Sequence, residues 1–249
     1  MLKILFKKNF RIKEYNNIKD YFDNKNGMEI GGPSKAFSSD GYIPVYDIME
    51  TLDGVNFSET TVWTGNINTD KGYTINGKTV GKLYITDATD LNQINNETYD
   101  FILSCNNIEH IANPIKAMEQ WIQKLKKNGV LVIIAPRKNV NFDHRRKTTK
   151  FAHLLEDYNN NIAEDDLTHF DEILELHDLS KDRPAGTFEQ FRERSLKNYE
   201  NRCLHHHVFD IKILEQMCVH FDLTIILMKK EKRDYTIVAK KHYAQNHKL

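Results

Sequence analysis

The stretch Tyr99-Asp-Phe-Ile-Leu-Ser104, followed by Ala112 to Lys127 and then by Val130-Leu-Val-Ile-Ile-Ala135, decides the fold class. The first piece reads as a strand that stops at small and polar residues. In the second, Ile115, Met118, Trp121, Ile122 and Leu125 recur at three- and four-residue spacing, behind Asn113-Pro114 and ahead of Asn128-Gly129, which predicts a helix. The third is an unbroken β-branched run, the pattern of a strand buried on both faces of a parallel sheet. Strand, helix and strand in that order predict an α/β fold.

Upstream, Gly27-Met-Glu-Ile-Gly-Gly-Pro-Ser34 carries a short apolar strand straight into two glycines, a strand-to-tight-turn junction. Ile43-Pro-Val-Tyr46 reads as a second extended piece, with Pro44 suiting an edge or bulge. Gly54 to Lys82 is Gly-, Asn- and Thr-rich loop or short-hairpin material, and Lys82 to Thr86 is a strand ending at Asp87. Residues 1–26 form a polar lead-in with some helix around Ile18, Tyr21 and Phe22. Downstream, Leu223 to Met228 and Tyr235 to Ala239 are joined by so short a link that only an antiparallel hairpin fits. Residues 137–210, too long for an ordinary connection, read as a helical insert between strands five and six, covering the site. The whole chain, 1–249, is expected to form one domain.

Composition narrows the function classes. The chain of 249 residues has 35 Lys+Arg against 35 Asp+Glu, which removes the bulk attraction to nucleic acid or anionic lipid. The longest apolar run, Val130 to Ala135, is far below the roughly 20 residues of a membrane helix. The first residues do not read as a signal peptide. Cys105, Cys203 and Cys218 form no CxxC pair, so neither a disulfide framework nor a zinc knuckle is expected, and a cytoplasmic setting fits. The zero balance is an average: Glu156 to Asp182 holds ten acidic residues against the single basic Lys181, whereas the amino end and closing hairpin are Lys-rich.

Glu29-Ile-Gly31-Gly32, Asp87-Ala-Thr-Asp-Leu, Tyr99 to Ser104, Ile108-Glu-His-Ile111 and Lys126-Lys-Asn-Gly129 stand in an order that resembles the class I S-adenosylmethionine-dependent methyltransferases. The resemblance spans roughly residues 27–136 and the final hairpin. It implies a Rossmann-like, seven-stranded, mostly parallel sheet whose last strand is antiparallel, which agrees with the hairpin argument. It also implies S-adenosylmethionine as cofactor and S-adenosylhomocysteine as product. On that resemblance Gly31 and Gly32 supply the cofactor turn, Glu29 supports the methionine amino end, Asp87 and Ala88 flank the adenine, and Ser104 to Asn106 line the methionine. Asp53, with Asp47 as rival, is expected to hold the ribose hydroxyls. The chain departs from the family's glycine-rich pattern at Pro33 and Lys35, where later glycines would stand. A nicotinamide dehydrogenase wants a fuller Gly-x-Gly-x-x-Gly and no terminal antiparallel hairpin.

Eight of the 11 histidines lie between residues 144 and 220. Many of the acids around them suit a plain solvated helical face. Phe142 to Arg146, Asp165 to His169 and Asn201 to Asp210 together look like a methyltransferase branch associated with bacterial surface-polysaccharide and capsule pathways, which implies a sugar or nucleotide-sugar hydroxyl as acceptor. Such a hydroxyl needs its proton removed, and His110, His144 and His169 are the candidate bases. Arg145 and Arg146 are candidates to fork around a phosphate, and His205 and His206 to touch the substrate. Some members of the class chelate the acceptor through a Glu-x-x-Glu-His set; here the stretch is Asn106-Asn-Ile-Glu109-His110, so a divalent metal at Glu109 and His110 is an alternative but not the favoured expectation. That alternative serves a small non-sugar oxygen acceptor. A methyltransferase-like binding module without catalysis is the remaining one.

Overall fold

The computed structural model describes residues 11–63 and 65–242; the first ten residues of the lead-in lie outside the described residues. Seven strands form one sheet: β1 (Asn26–Ile30), β2 (Thr51–Asn56), β3 (Leu83–Ile85), β4 (Tyr99–Cys105), β5 (Leu125–Pro136), β6 (Leu223–Lys230) and β7 (Asp234–Lys241). Their order across the sheet is β6-β7-β5-β4-β1-β2-β3. The pairs β1–β2, β1–β4, β2–β3 and β4–β5 are parallel, and β7 runs antiparallel to both β5 and β6. This is the expected Rossmann-like sheet with its last strand antiparallel.

The apolar run in β5 is continuous because the strand is covered on both faces. Leu131, Ile133 and Ala135 join one core with Met28, Ile102 and Trp121, while Val130, Val132 and Ile134 join another with Phe101 and Leu103. That division follows the two-residue alternation of a strand. On the first face pack the helices Pro114–Lys124, Phe151–Asn159 and Ile211–His220. On the second lies the lead-in, whose Ile12, Tyr15, Ile18 and Phe22 are buried there. The helix 114–124 starts as its sequence predicts: the Asn113 side chain accepts from the Lys116 N–H, and Pro114 occupies the first turn. It ends at Lys124, before the expected Lys127, because β5 begins at Leu125.

A further expectation is corrected. Residues 43–46 are not a strand; the second strand is Thr51–Asn56. Asp53 and Gly54 disguise it, and Gly54 is required because a β-carbon there would stand 2.1 Å from the Tyr73 ring. Between β2 and β3 the loop carries two small hairpins, 60–61 with 65–66 and 73–75 with 78–81. The insert 137–210 is helical as expected, with helices Phe151–Asn159, Phe170–Leu176, Phe188–Leu196 and Asn198–Asn201. No helix among the described residues is long and apolar enough to cross a membrane.

Candidate active site

The carboxyl ends of parallel strands are where an α/β sheet binds nucleotide-like ligands, and a cavity of about 350 Å³ opens there. Ile30 and Gly31 border it after β1, and Val55, Asn56 and Phe57 after β2. Asp87 and Ala88 follow β3; Asn106, Asn107, Glu109 and His110 follow β4. From above, the insert contributes Asn141, Phe142, Glu164, Arg202 and His205, and the loop after β2 contributes Trp63.

The turn after β1 depends on both glycines. Gly31 has φ +75, and a β-carbon there would meet the Asn107 amide at 2.4 Å; one on Gly32 would meet the Glu29 carboxyl at 2.1 Å. Glu29 lies beneath this turn, wholly buried and away from the cavity wall. It accepts hydrogen bonds from the Ser34 N–H (2.9 Å), the Tyr46 hydroxyl (2.7 Å) and the Tyr73 hydroxyl (2.8 Å). Burial raises its carboxyl above the usual range, against those donors. Its contact set makes it a buttress of the turn.

Neither ribose candidate borders the cavity. Asp53 sits in mid-strand, where its carboxylate accepts from the Lys82 N–H (2.7 Å) and the Tyr99 hydroxyl (2.8 Å). Asp47 lies in the turn before β2. The residue that β2 delivers to the cavity at its carboxyl end is Asn56. Asp87 and Ala88 do border the cavity: the Asp87 carboxylate accepts from the Thr89 N–H and hydroxyl, and the Ala88 carbonyl accepts from the Trp121 indole N–H at 3.0 Å. Asn106, with φ +47, borders it too, whereas Ser104 is buried inside the sheet.

The insert brings His205 to the cavity with Asp143 behind it. His205 Nδ1 and Asp143 Oδ2 are 2.5 Å apart, and both side chains are buried. Burial alone would lower His205, but the Asp143 carboxylate outweighs it and raises the imidazole pKa; burial would raise Asp143, but His205 and Arg146 hold it down to about 2. His110 stands beside this pair, its ring 4.5 Å from that of His205 and 5.2 Å from that of Trp63. His110 Nδ1 lies 3.0 Å from the Leu204 carbonyl, and burial holds its pKa well below the usual value. Glu109 is buried with Oε2 lacking a hydrogen-bond partner, and burial pushes it up to about 7. Glu109, His110 and His205 each place one ligand atom within 4.8 Å of the others.

The remaining site residues fall elsewhere. His144 Nε2 pairs with Asp178 at 2.8 Å, and His169 Nε2 with His153 Nε2 at 2.9 Å; neither borders the cavity. Arg146 is buried and donates to the Asp143 carboxylate and to the carbonyls of His205 (2.7 Å) and His206 (3.1 Å). It clamps the histidine segment and has no face turned to a phosphate. Arg145 is exposed near Asp178, and His206 is buried against Asn198. Sequence reading missed Asn56 and Arg202, and it placed Asp143 among the candidate bases without its pairing to His205. Arg202, at φ +55, joins the insert to the β3 end through Asp87 (3.1 Å) and Glu164 (2.9 Å). The neighbouring Asp87 and the polar insert were the signals available for it.

A family model described as a methyltransferase domain matches residues 43–227. The chain belongs to this methyltransferase family and is an enzyme. Among solved structures, the chain is similar to a Listeria monocytogenes S-adenosylmethionine-dependent methyltransferase at 12% identity, covering 92% of this chain and 98% of that one with a TM-score of 0.48. A Methanosarcina mazei S-adenosylmethionine-dependent methyltransferase is 14% identical over 91% of this chain and 97% of its own, with a TM-score of 0.48. An Aquifex aeolicus one is 11% identical over 92% and 89%, with a TM-score of 0.47. No curated protein matches the chain.

The residues present fit S-adenosylmethionine, the cofactor that the sequence resemblance implies. Gly31 borders the cavity with bare backbone, and Asn107 Oδ1 and Glu109 Oε2 at the cavity are buried acceptors without hydrogen-bond partners, matched to an ammonium.

Proposed function

We propose that the enzyme methylates an oxygen of a sugar or nucleotide-linked sugar, with His205 as the general base. The observation that carries this reading is the Asp143–His205 pair at the insert side of the cavity. With its Nδ1–H held by Asp143, His205 keeps Nε2 to accept a hydroxyl proton, and an imidazole made more basic by a carboxylate suits that task. Bound S-adenosylmethionine supplies a methyl group on a sulfonium, so the chain's part is to position the acceptor and take up its proton.

Trp63, 56% exposed at the cavity rim, and Phe142, whose ring is 4.6 Å from that of His205, give flat faces for the C–H side of a sugar ring. Asn141, Glu164 and Arg202 alternate acceptors and donors around them, as a polyhydroxylated ligand requires. On the cofactor side, Asn56 takes the ribose hydroxyls in place of Asp53 and Asp47, Asp87 and Ala88 flank the adenine, and Asn107 with Glu109 faces the methionine ammonium. Glu29 and Gly32 act beneath, holding the turn.

The test is methyl-labelled S-adenosylmethionine offered with nucleotide sugars and glycan fragments beside phenol, amine and carboxylate acceptors. Label on sugar oxygens, with His205→Ala lowering kcat by about 10²–10⁴ at unchanged cofactor affinity, supports the reading. Label only on a non-sugar class overturns the acceptor. A second reading, a divalent cation held by Glu109, His110 and His205 that assists a non-sugar oxygen, is favoured by the approach of those three groups. Full turnover in a strong chelator rejects it.

A further inference from the structure

A second group of histidines lies in the insert, away from the cavity. His153 and Asp157 project from the helix Phe151–Asn159, His169 caps the helix Phe170–Leu176, and His207 belongs to the extended segment before the helix Ile211–His220. None of the four borders the cavity. One ring nitrogen from each of His153, His169 and His207 lies within 4.8 Å of the other two.

A hydrogen bond between two imidazoles accounts for one contact here, His153 Nε2 to His169 Nε2 at 2.9 Å. It leaves Asp157 Oδ2 and His207 Nδ1 buried without hydrogen-bond partners. Orphaned buried polar atoms are rare and point to an absent ligand. His207 is 1% exposed, and its Nε2 lies 3.0 Å from the Ala112 carbonyl, to which it donates; the lone pair of Nδ1 is its remaining binding atom. An imidazole that donates one ring N–H to a backbone carbonyl and keeps the other nitrogen free is the usual state of a metal-binding histidine. The outward nitrogens of the other two rings have carboxylates nearby: His153 Nδ1 is 3.7 Å from Glu156 Oε2, and His169 Nδ1 is 3.7 Å from Glu172 Oε2.

We propose that His153, His169 and His207 form a zinc(II) site that pins the insert to the sheet. Metal–ligand bonds near 2 Å in a tetrahedron put the donors about 3.4 Å apart. The 2.9 Å between His153 and His169 needs only a small opening. Asp157 Oδ2, 3.5 Å from His153 Nε2 and 3.6 Å from His207 Nε2, adds a negative charge beside the site. Three imidazoles select zinc over the oxygen-seeking magnesium and calcium. The fourth position is left to water, and because the three ligands come from separate segments away from the cavity, the role is to fasten those segments together. The site fastens the helix 151–159, the start of the helix 170–176 and the segment that carries His205, two residues from the ligand His207. It does not depend on the identity of the methyl acceptor.

The experiment uses the full chain, stripped of metal by a chelator and titrated with zinc(II), then with cobalt(II) as a spectroscopic probe. The proposal expects one zinc per chain, the intense visible absorption of tetrahedral cobalt, and a rise in the thermal midpoint. His153→Asn and His169→Asn, both at partly exposed positions, are each expected to weaken zinc binding by at least about 100-fold with the circular dichroism of a folded protein. His110→Asn is expected to keep it. Absence of zinc binding at micromolar concentration, or full binding in the His153→Asn/His169→Asn double variant, overturns the proposal. So does loss of zinc in His110→Asn with retention in His169→Asn, which moves the metal to the cavity.

Discussion

The sheet and the insert bury different kinds of group. In β4 and β5 the buried side chains are almost all apolar and divide between two cores by simple alternation. In the insert, Arg146, Asp143, Glu164, His177, His205 and His206 are buried, each paired with a particular partner. Apolar packing is non-directional and tolerates exchange at constant volume, whereas a buried charge requires its own counter-group. The sheet therefore provides a general platform whose strand ends border the cavity, and the insert lays directed polar groups over it.

The sharpest break of that contrast on the sheet side is Trp121→Ala. Trp121 is fully buried in the first core and donates to the Ala88 carbonyl, so its loss removes packing and a link to the cavity wall after β3 together. Denaturant unfolding is expected to show a loss of about 3–5 kcal/mol. Next is Arg202→Gln at the seam between the two regions. Asp87 and Glu164 would each lose their cation, and because Arg202 is partly solvated the expected loss is about 2 kcal/mol, read as a lower unfolding midpoint. A change under a few tenths would mean that the seam is held by other contacts.

The smallest effect lies within the insert, at Asp182, which accepts from His177 (3.1 Å) and Arg194 (3.0 Å). Burial raises this carboxyl, but the two donors outweigh it and hold its pKa below the usual value. A carboxyl depressed in the folded state stabilises above its unfolded pKa and loses that contribution as pH falls through the folded one. Asp182→Asn should therefore cost about 1 kcal/mol at pH 7 and nothing once the wild-type carboxyl is protonated. A cost that persists unchanged in acid would assign the effect to packing.

The same contrast explains what was legible from sequence. β4, β5, β6, β7 and the helix 114–124 carry their periodicity openly, so the sheet and its antiparallel end could be read directly. β2 could not, because Asp53 and Gly54 break its pattern and the reason for each lies far along the chain, at Tyr99, Lys82 and Tyr73. That hidden strand put the expected ribose acid in mid-strand and left Asn56 at the cavity. In the insert, the residue types were visible and their partners were not: His205 meets Asp143 across 62 positions, while His144 and His169 turn to Asp178 and His153. Which imidazole faces the cavity is decided by tertiary packing, to which a run of three histidines gives no guide.

The account's central claim is that the strand ends hold the cofactor while the insert performs the proton chemistry. Calorimetric titration of S-adenosylmethionine into the wild-type protein and into His205→Ala tests it most directly. Binding to both with closely similar affinity is predicted; absence of binding to the wild type at high micromolar concentration, or its loss in His205→Ala with the fold retained, would contradict it.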